Sequence, residues 1–260
     1  MDNQIIEASK AAQNVLSQIY TDLAQPSIQA IGKSLGTVFE SCASILLPLK
    51  LHNEKCRLNL KHELDEYQKK LEDVPENKRC EVHPQLGIPV LDKLTYITND
   101  EIADMFTTLL ANASNTDMVE TAHPSFVSMI ERMSTDEARL LKYLKGKNGT
   151  PYCNFNGHVK EGEGFRTLYD HVTSLDNEVS FTFPQNVGAY LANFVSLGIL
   201  KDMSPIYKVD KTVYNKIRDK YNLKQLEAKL APNAFKSISV DESFFETTDF
   251  GRLFIKACIK

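Results

Sequence analysis

Apolar residues repeat at helical intervals along most of this chain. From Leu35 the set Val38, Phe39, Cys42, Ile45, Leu46 and Leu49 advances by steps of three and four, the spacing of a seam that packs on another helix. After a shift near Leu58 the seam resumes at Leu60, Leu64, Tyr67, Leu71 and Val74, with balanced charge on the remaining faces. Read as continuous, residues 27–74 make a rod of roughly 70 Å at about 1.5 Å per residue, kinked at Pro48. A separate helix ahead of it spans residues 3–24 and stops at Pro26.

Shorter helices follow a polar connection at residues 75–84. Thr98 and Glu101 read as a capping box before Ile102, Met105, Phe106, Leu109 and Leu110. Ser134 and Glu137 repeat that signature before Ala138, Leu140, Leu141 and Leu144. In between, Pro124 suits a first helical turn because its missing N–H would lack a partner anyway. His123 is expected to order that turn and Phe126 to pack inward.

Beyond Gly149-Thr150-Pro151 the pattern changes. Gly157, Gly162 and Gly164 read as a loop-rich stretch, with a strand near residues 179–183. Pro184 opens a helix through Leu197 that turns directly into Gly198-Ile199-Leu200. Residues 237–247 alternate as a strand, and Thr248 to Phe254 reads as a strand-to-helix closure. This order resembles a winged helix-turn-helix domain with a basic helix, residues 209–230, inserted in the wing. The expected fold class is therefore mainly α: a segment 1–26, a helical domain 27–148 built on the long helix, and a winged-helix-like α+β domain 149–260.

At 260 residues the chain can bury a sizeable core. Its net charge of −4 argues against a wholly cationic nucleic-acid binder. The charge is uneven, because residues 201–260 hold 12 basic against 8 acidic side chains. Five scattered cysteines without a C-x-x-C pair read as reduced thiols. With no secretory pattern at the start, the expected location is the cytoplasm. Residues 35–51, interrupted by Glu40 and Pro48, are poorly suited to spanning hydrocarbon.

Chemistry-bearing constellations are sparse. His52 and Cys56 align at a spacing of four, yet no further ligands follow at zinc-site distances, and His62-Glu63 lacks the second histidine of H-E-x-x-H. Gly-Lys-Ser at 32–34 lacks the glycine and the strand that a phosphate loop requires. Cys153 with His158 or His171, and Ser125 with His123, are pairs that only three-dimensional geometry can define. No catalytic, metal or cofactor residue is assigned. For nucleic acid, Gln185 and Asn186 could read bases, while Lys216, Arg218 and Lys220 could meet phosphates. For self-association the seam is Leu35, Phe39, Cys42, Leu46 and Leu49.

Gly32-Lys33-Ser34-Leu35-Gly36, Leu47-Pro48-Leu49-Lys50, the IADMFTTLLANA helix and the HPSF turn together resemble the bacterial Abi-alpha family, over about residues 30–260. That resemblance implies a role in abortive infection by phage and carries no catalytic residues with it. The leading expectation is a non-enzymatic, cytoplasmic defence protein that senses or assembles, partnered by itself or another protein. A nucleic-acid-binding regulator and a membrane-acting effector using residues 35–51 are the alternatives; nucleic acid is a possible partner and a membrane an unfavoured one.

Overall fold

Helix starts in the first half follow their caps. The structure, a computed structural model, describes residues 29–42, 53–147, 149–220 and 235–260, and only the backbone of residues 29, 30, 40 and 42. The expected first helix, the seam positions Leu46 and Leu49, the side chain of Cys42, most of the 35–51 segment and the end of the basic helix lie outside the described residues. The chain divides into two units, Met1–Ala138 with Leu253–Lys260, and Arg139–Arg252.

Unit 1 is helical. Its described helices are α1 (Gln29–Cys42), α2 (Glu54–Glu72), α3 (Pro84–Leu94), α4 (Asp100–Ala113) and α5 (Ser125–Glu131), and α6 (Thr135–Leu144) begins at its boundary. Asn53 caps α2 by accepting from the Lys55 N–H at 3.0 Å. The cap of α4 falls one residue later than the sequence reading places it: the Asn99 side chain, not Thr98, accepts from the Ile102 N–H at 3.1 Å. Ser134 and Glu137 form the expected reciprocal box, Glu137 Oε2 accepting from the Ser134 N–H at 2.7 Å while Ser134 Oγ accepts from the Glu137 N–H at 3.3 Å.

The seam residues Leu60, Leu64, Tyr67, Leu71 and Val74 are buried, as are Ile102, Met105, Phe106, Leu109 and Leu110 opposite them. Tyr67 ends in a 2.6 Å hydrogen bond with Ser114 Oγ, and burial pushes its hydroxyl up to about 12. Ser34 of α1 faces the same tyrosine. In a straight rod these two residues would stand about 50 Å apart, so α1 and α2 fold back on one another instead of forming one helix. Leu35 and Phe39 are consequently buried inside this unit. The end of the last helix, α9 (Asp249–Cys258), supplies Phe254, whose ring meets Phe126 edge-on at 5.0 Å. Asn112 Nδ2 donates to the Ala257 carbonyl at 2.8 Å.

Unit 2 corrects the expected fold class. It holds β1 (Thr150–Val159), β2 (Phe165–Val172), α7 (Val187–Ser196), β3 (Leu200–Asp202), α8 (Thr212–Lys220) and β4 (Phe235–Thr247). The strands form one antiparallel sheet in the order β2-β1-β4-β3. The protein is therefore a mixture of helix and sheet, and the winged-helix reading fails. Its supposed wing strand β4 pairs with β3 over three positions but with β1 from Thr150↔Phe245 to Val159↔Phe235. β1 is concealed by composition, since its Asn154, Asn156 and Gly157 are weak strand formers. Gly157 is required, because a Cβ there would stand 2.7 Å from the Phe235 ring. Residues 179–183 form no strand.

Among the described strands β2 forms one border of the sheet and β3 the other, and the register of β2 against β1 shifts between Cys153 and Asn156. There His171 adopts φ +48° and donates its N–H to Asn154 Oδ1 at 2.8 Å, so the edge is bulged and twisted. Helix α8 closes the other side of β1, with Tyr214 and Ile217 against Cys153, Phe155 and Val172.

At the start of α9 the backbones approach closely, since a Cβ on Gly251 would lie 2.2 Å from the Ile199 carbonyl oxygen. Gly251→Ala is expected to cost about 3 kcal/mol through forced backbone movement. A urea midpoint that stays at the wild-type value would contradict this packing.

Candidate functional site

A helix turns by about 100° per residue, so the buried stripe of α2 leaves Glu63, Glu66 and Lys70 along one flank, with His62 beyond them. On α4 the same periodicity places Asp100, Ala103, Asp104 and Thr107 together. These eight residues line a cleft of about 300 Å³ between the two helices. Four carboxylates face one lysine.

That lysine is committed. Lys70 Nζ lies 2.6 Å from Asp104 Oδ1, 2.8 Å from the Asp104 carbonyl, 2.7 Å from Thr107 Oγ1 and 2.8 Å from Thr108 Oγ1. An ammonium has three protons, and four acceptors already surround it. Glu66 is held at 2.5 Å by Lys69, whose hydrogen bond keeps this carboxyl below its ordinary range.

Glu63 differs. Its side chain is 7 % exposed, and the His62 ring Nε2 stands 4.0 Å away, beyond hydrogen-bond reach. No hydrogen bond reaches it from the described residues. Burial raises its pKa, the negative charges of Glu66 and Asp100 add to that, and His62 and Lys70 oppose it. Such a carboxylate, its stem buried and its oxygens open only to the cleft, is apt for receiving a ligand.

A second polar cluster in unit 2 is closed on itself. Tyr152 donates to Asp202 Oδ1 at 2.6 Å, which also accepts from the Ser204 N–H at 3.0 Å. His171 stands between Asp170 Oδ2 at 2.9 Å and Asp202 Oδ2 at 3.5 Å. Burial opposes the ionisation of Asp202, but these donors outweigh it and hold its pKa low. The network ties β1, β2 and β3 together.

The residues singled out from the sequence fall elsewhere. Gln185 and Asn186 lie in a single 3-10 turn, Pro184–Asn186, ahead of α7. On α8, Arg218 pairs with Glu242 and Lys220 with Asp176 at 2.5 Å. Lys216 borders a separate cleft with Lys147, Thr150 and Ser174. The Cys153 thiol is pushed up to about 12, first by burial and then by the charge of Glu242, far from the thiolate a nucleophile needs. Ser125 and His123 form a local turn in which His123 Nδ1 accepts from the Ser125 N–H at 3.2 Å. Among the described residues no set of three ligating side chains could hold a metal ion. The cleft went unread because its two halves lie more than thirty residues apart; the available signal was Glu63, a carboxylate inside the Leu60-Leu64-Tyr67 stripe.

Two outcomes follow. Glu63 has a raised folded pKa, so its stability contribution is intact below the ordinary value of 4.5 and is lost as pH rises through the raised value. Glu63→Gln should therefore melt higher than wild type at neutral pH, with a gap that closes in acid; a gap independent of pH would refute this. Glu242 is 6 % exposed, and Arg218→Met leaves it without its principal cation at a cost of about 2 kcal/mol, discounted for the half-exposed arginine. Chemical denaturation showing no loss would remove that structural role.

The family described as abortive infection alpha matches residues 57–258. No curated protein matches. An uncharacterized protein from the hydrocarbon-degrading marine bacterium Alcanivorax borkumensis SK2, of solved structure, shares 14% identity at a TM-score of 0.36, over 56% of this chain and 96% of that one. Because the family match spans most of the sequence and reaches into both units, the chain belongs to the abortive infection alpha family.

Proposed function

We propose that this protein serves phage defence by recognition and not by catalysis, with the cleft between α2 and α4 as the recognising element. The observation that carries the reading is Glu63, buried and directed into that cleft without a hydrogen-bond donor among the described residues. A fold that holds a carboxylate at a raised pKa gives up some stability at neutral pH, as sites of recognition commonly do. Recognition of a trigger or partner fits the family's association with abortive infection. The protein acts in the cytoplasm, where its scattered thiols stay reduced.

The ion pairs on α8 weigh against a nucleic-acid regulator, because cations engaged by Glu242 and Asp176 must exchange those partners for phosphate. Among the described residues no helix is long and apolar enough to cross a membrane.

Plating efficiency on a phage-challenged bacterial host tests the reading. Wild type should protect against at least one phage of a broad panel, while Glu63→Gln and Asp100→Asn, both folded by circular dichroism, should lose most of that protection. Full protection by both variants, or none by wild type on any phage, overturns it.

A further inference from the structure

The cleft has a defined chemical deficit. Its one ammonium, Lys70, is surrounded by four acceptors, and Glu66 is taken by Lys69. Glu63 and the exposed Asp100 are left accepting no hydrogen bond from any described residue, with His62 at the side, its ring largely in solvent. A group that complements these carboxylates is positively charged and rich in N–H donors.

A bare divalent ion fits poorly, since it needs several oxygens converging at about 2.0 to 2.6 Å, and no three ligating side chains converge in that way among the described residues. A guanidinium offers five donors in a plane and satisfies acceptors set apart from one another. An alkyl-ammonium offers three on a flexible stem. Ala103 and Thr107 also line the cleft, whose volume of about 300 Å³ leaves room for that stem.

We infer that this cleft takes up one organic cation, an alkyl-guanidinium or alkyl-ammonium group, with Glu63 as the inner counter-ion and Asp100 as the outer one. The inference rests on the recognition reading and deepens it by naming the ligand's chemistry. The cation binds the carboxylate form of Glu63, so uptake at mildly acidic pH releases a proton. The charged and titratable groups facing Glu63 are His62, Glu66 and Lys70 from α2 and Asp100 and Asp104 from α4.

Isothermal titration of the full chain with agmatine and with N-acetyl-arginine amide tests this, with N-acetyl-citrulline amide as the neutral counterpart. At least one cationic probe should bind saturably at neutral pH. Its affinity should fall about tenfold or more in Glu63→Gln, the loss expected of one charge-assisted contact. The control Glu120→Gln, an exposed carboxylate outside the cleft, should match wild type, and binding should weaken on acidification. Preference for agmatine assigns a free amine as the source of the cation; preference for the arginine amide assigns a side chain of a partner polypeptide. Binding by the citrulline probe equal to that of arginine amide, unchanged binding by Glu63→Gln, or no saturable binding of either cation at millimolar concentration overturns the inference. Loss of phage protection in Glu63→Gln together with absent probe binding would sink this ligand assignment alone, whereas intact protection would sink the recognition reading beneath it.

Discussion

Helical periodicity constrains what α2 can hide. Leu60, Leu64, Tyr67 and Leu71 fall within a narrow arc, and about 60° from Leu60 on that arc's flank stands Glu63. Docking the apolar stripe against α4 therefore carries the carboxylate beneath the surface with it. The cost of desolvating it is set by the same packing that stabilises unit 1. Lys70, one turn beyond Glu66, makes no hydrogen bond to it, because α4 brings Asp104, Thr107 and Thr108 to that ammonium instead. The cleft's negative character is thus built into the pairing of two helices and does not depend on loop conformation.

Much of unit 1 could be read from the sequence because its information is local. The stripe on α2, the apolar set on α4, the Ser134-Glu137 cap and the inward Phe126 are each written within one or two turns, and each is buried or bonded as the spacing implies. The long rod was misjudged for a related reason: periodicity reports a helix's face and not whether the helix continues, and α1 turns its stripe onto α2 and α3.

The sheet was harder to foresee, since its pairings span from about ten to nearly a hundred residues. β1 is buried without strict alternation and β2 is mostly exposed, so neither shows the period of two that marks a strand facing one core. The turn at Gly198, with φ +72°, and the closure at Gly251 are the features on which the winged-helix reading rested. They describe local chain geometry, whereas the choice of β1 as the main partner of β4 decides the topology. The acidic cleft escaped for the same reason, each half looking like an ordinary solvated helix face until the other half lay against it.

The bulged border strand β2 has a bearing on how the folded chain meets other copies of itself. A flat, regular border would offer its free amides and carbonyls to any neighbouring chain and invite fibres as the protein accumulates. The left-handed kink at His171 and the shifted ladder against β1 spoil that template. Along this border the folded chain therefore makes a poor seat for another strand, and crowding of copies does not by itself lengthen the sheet there.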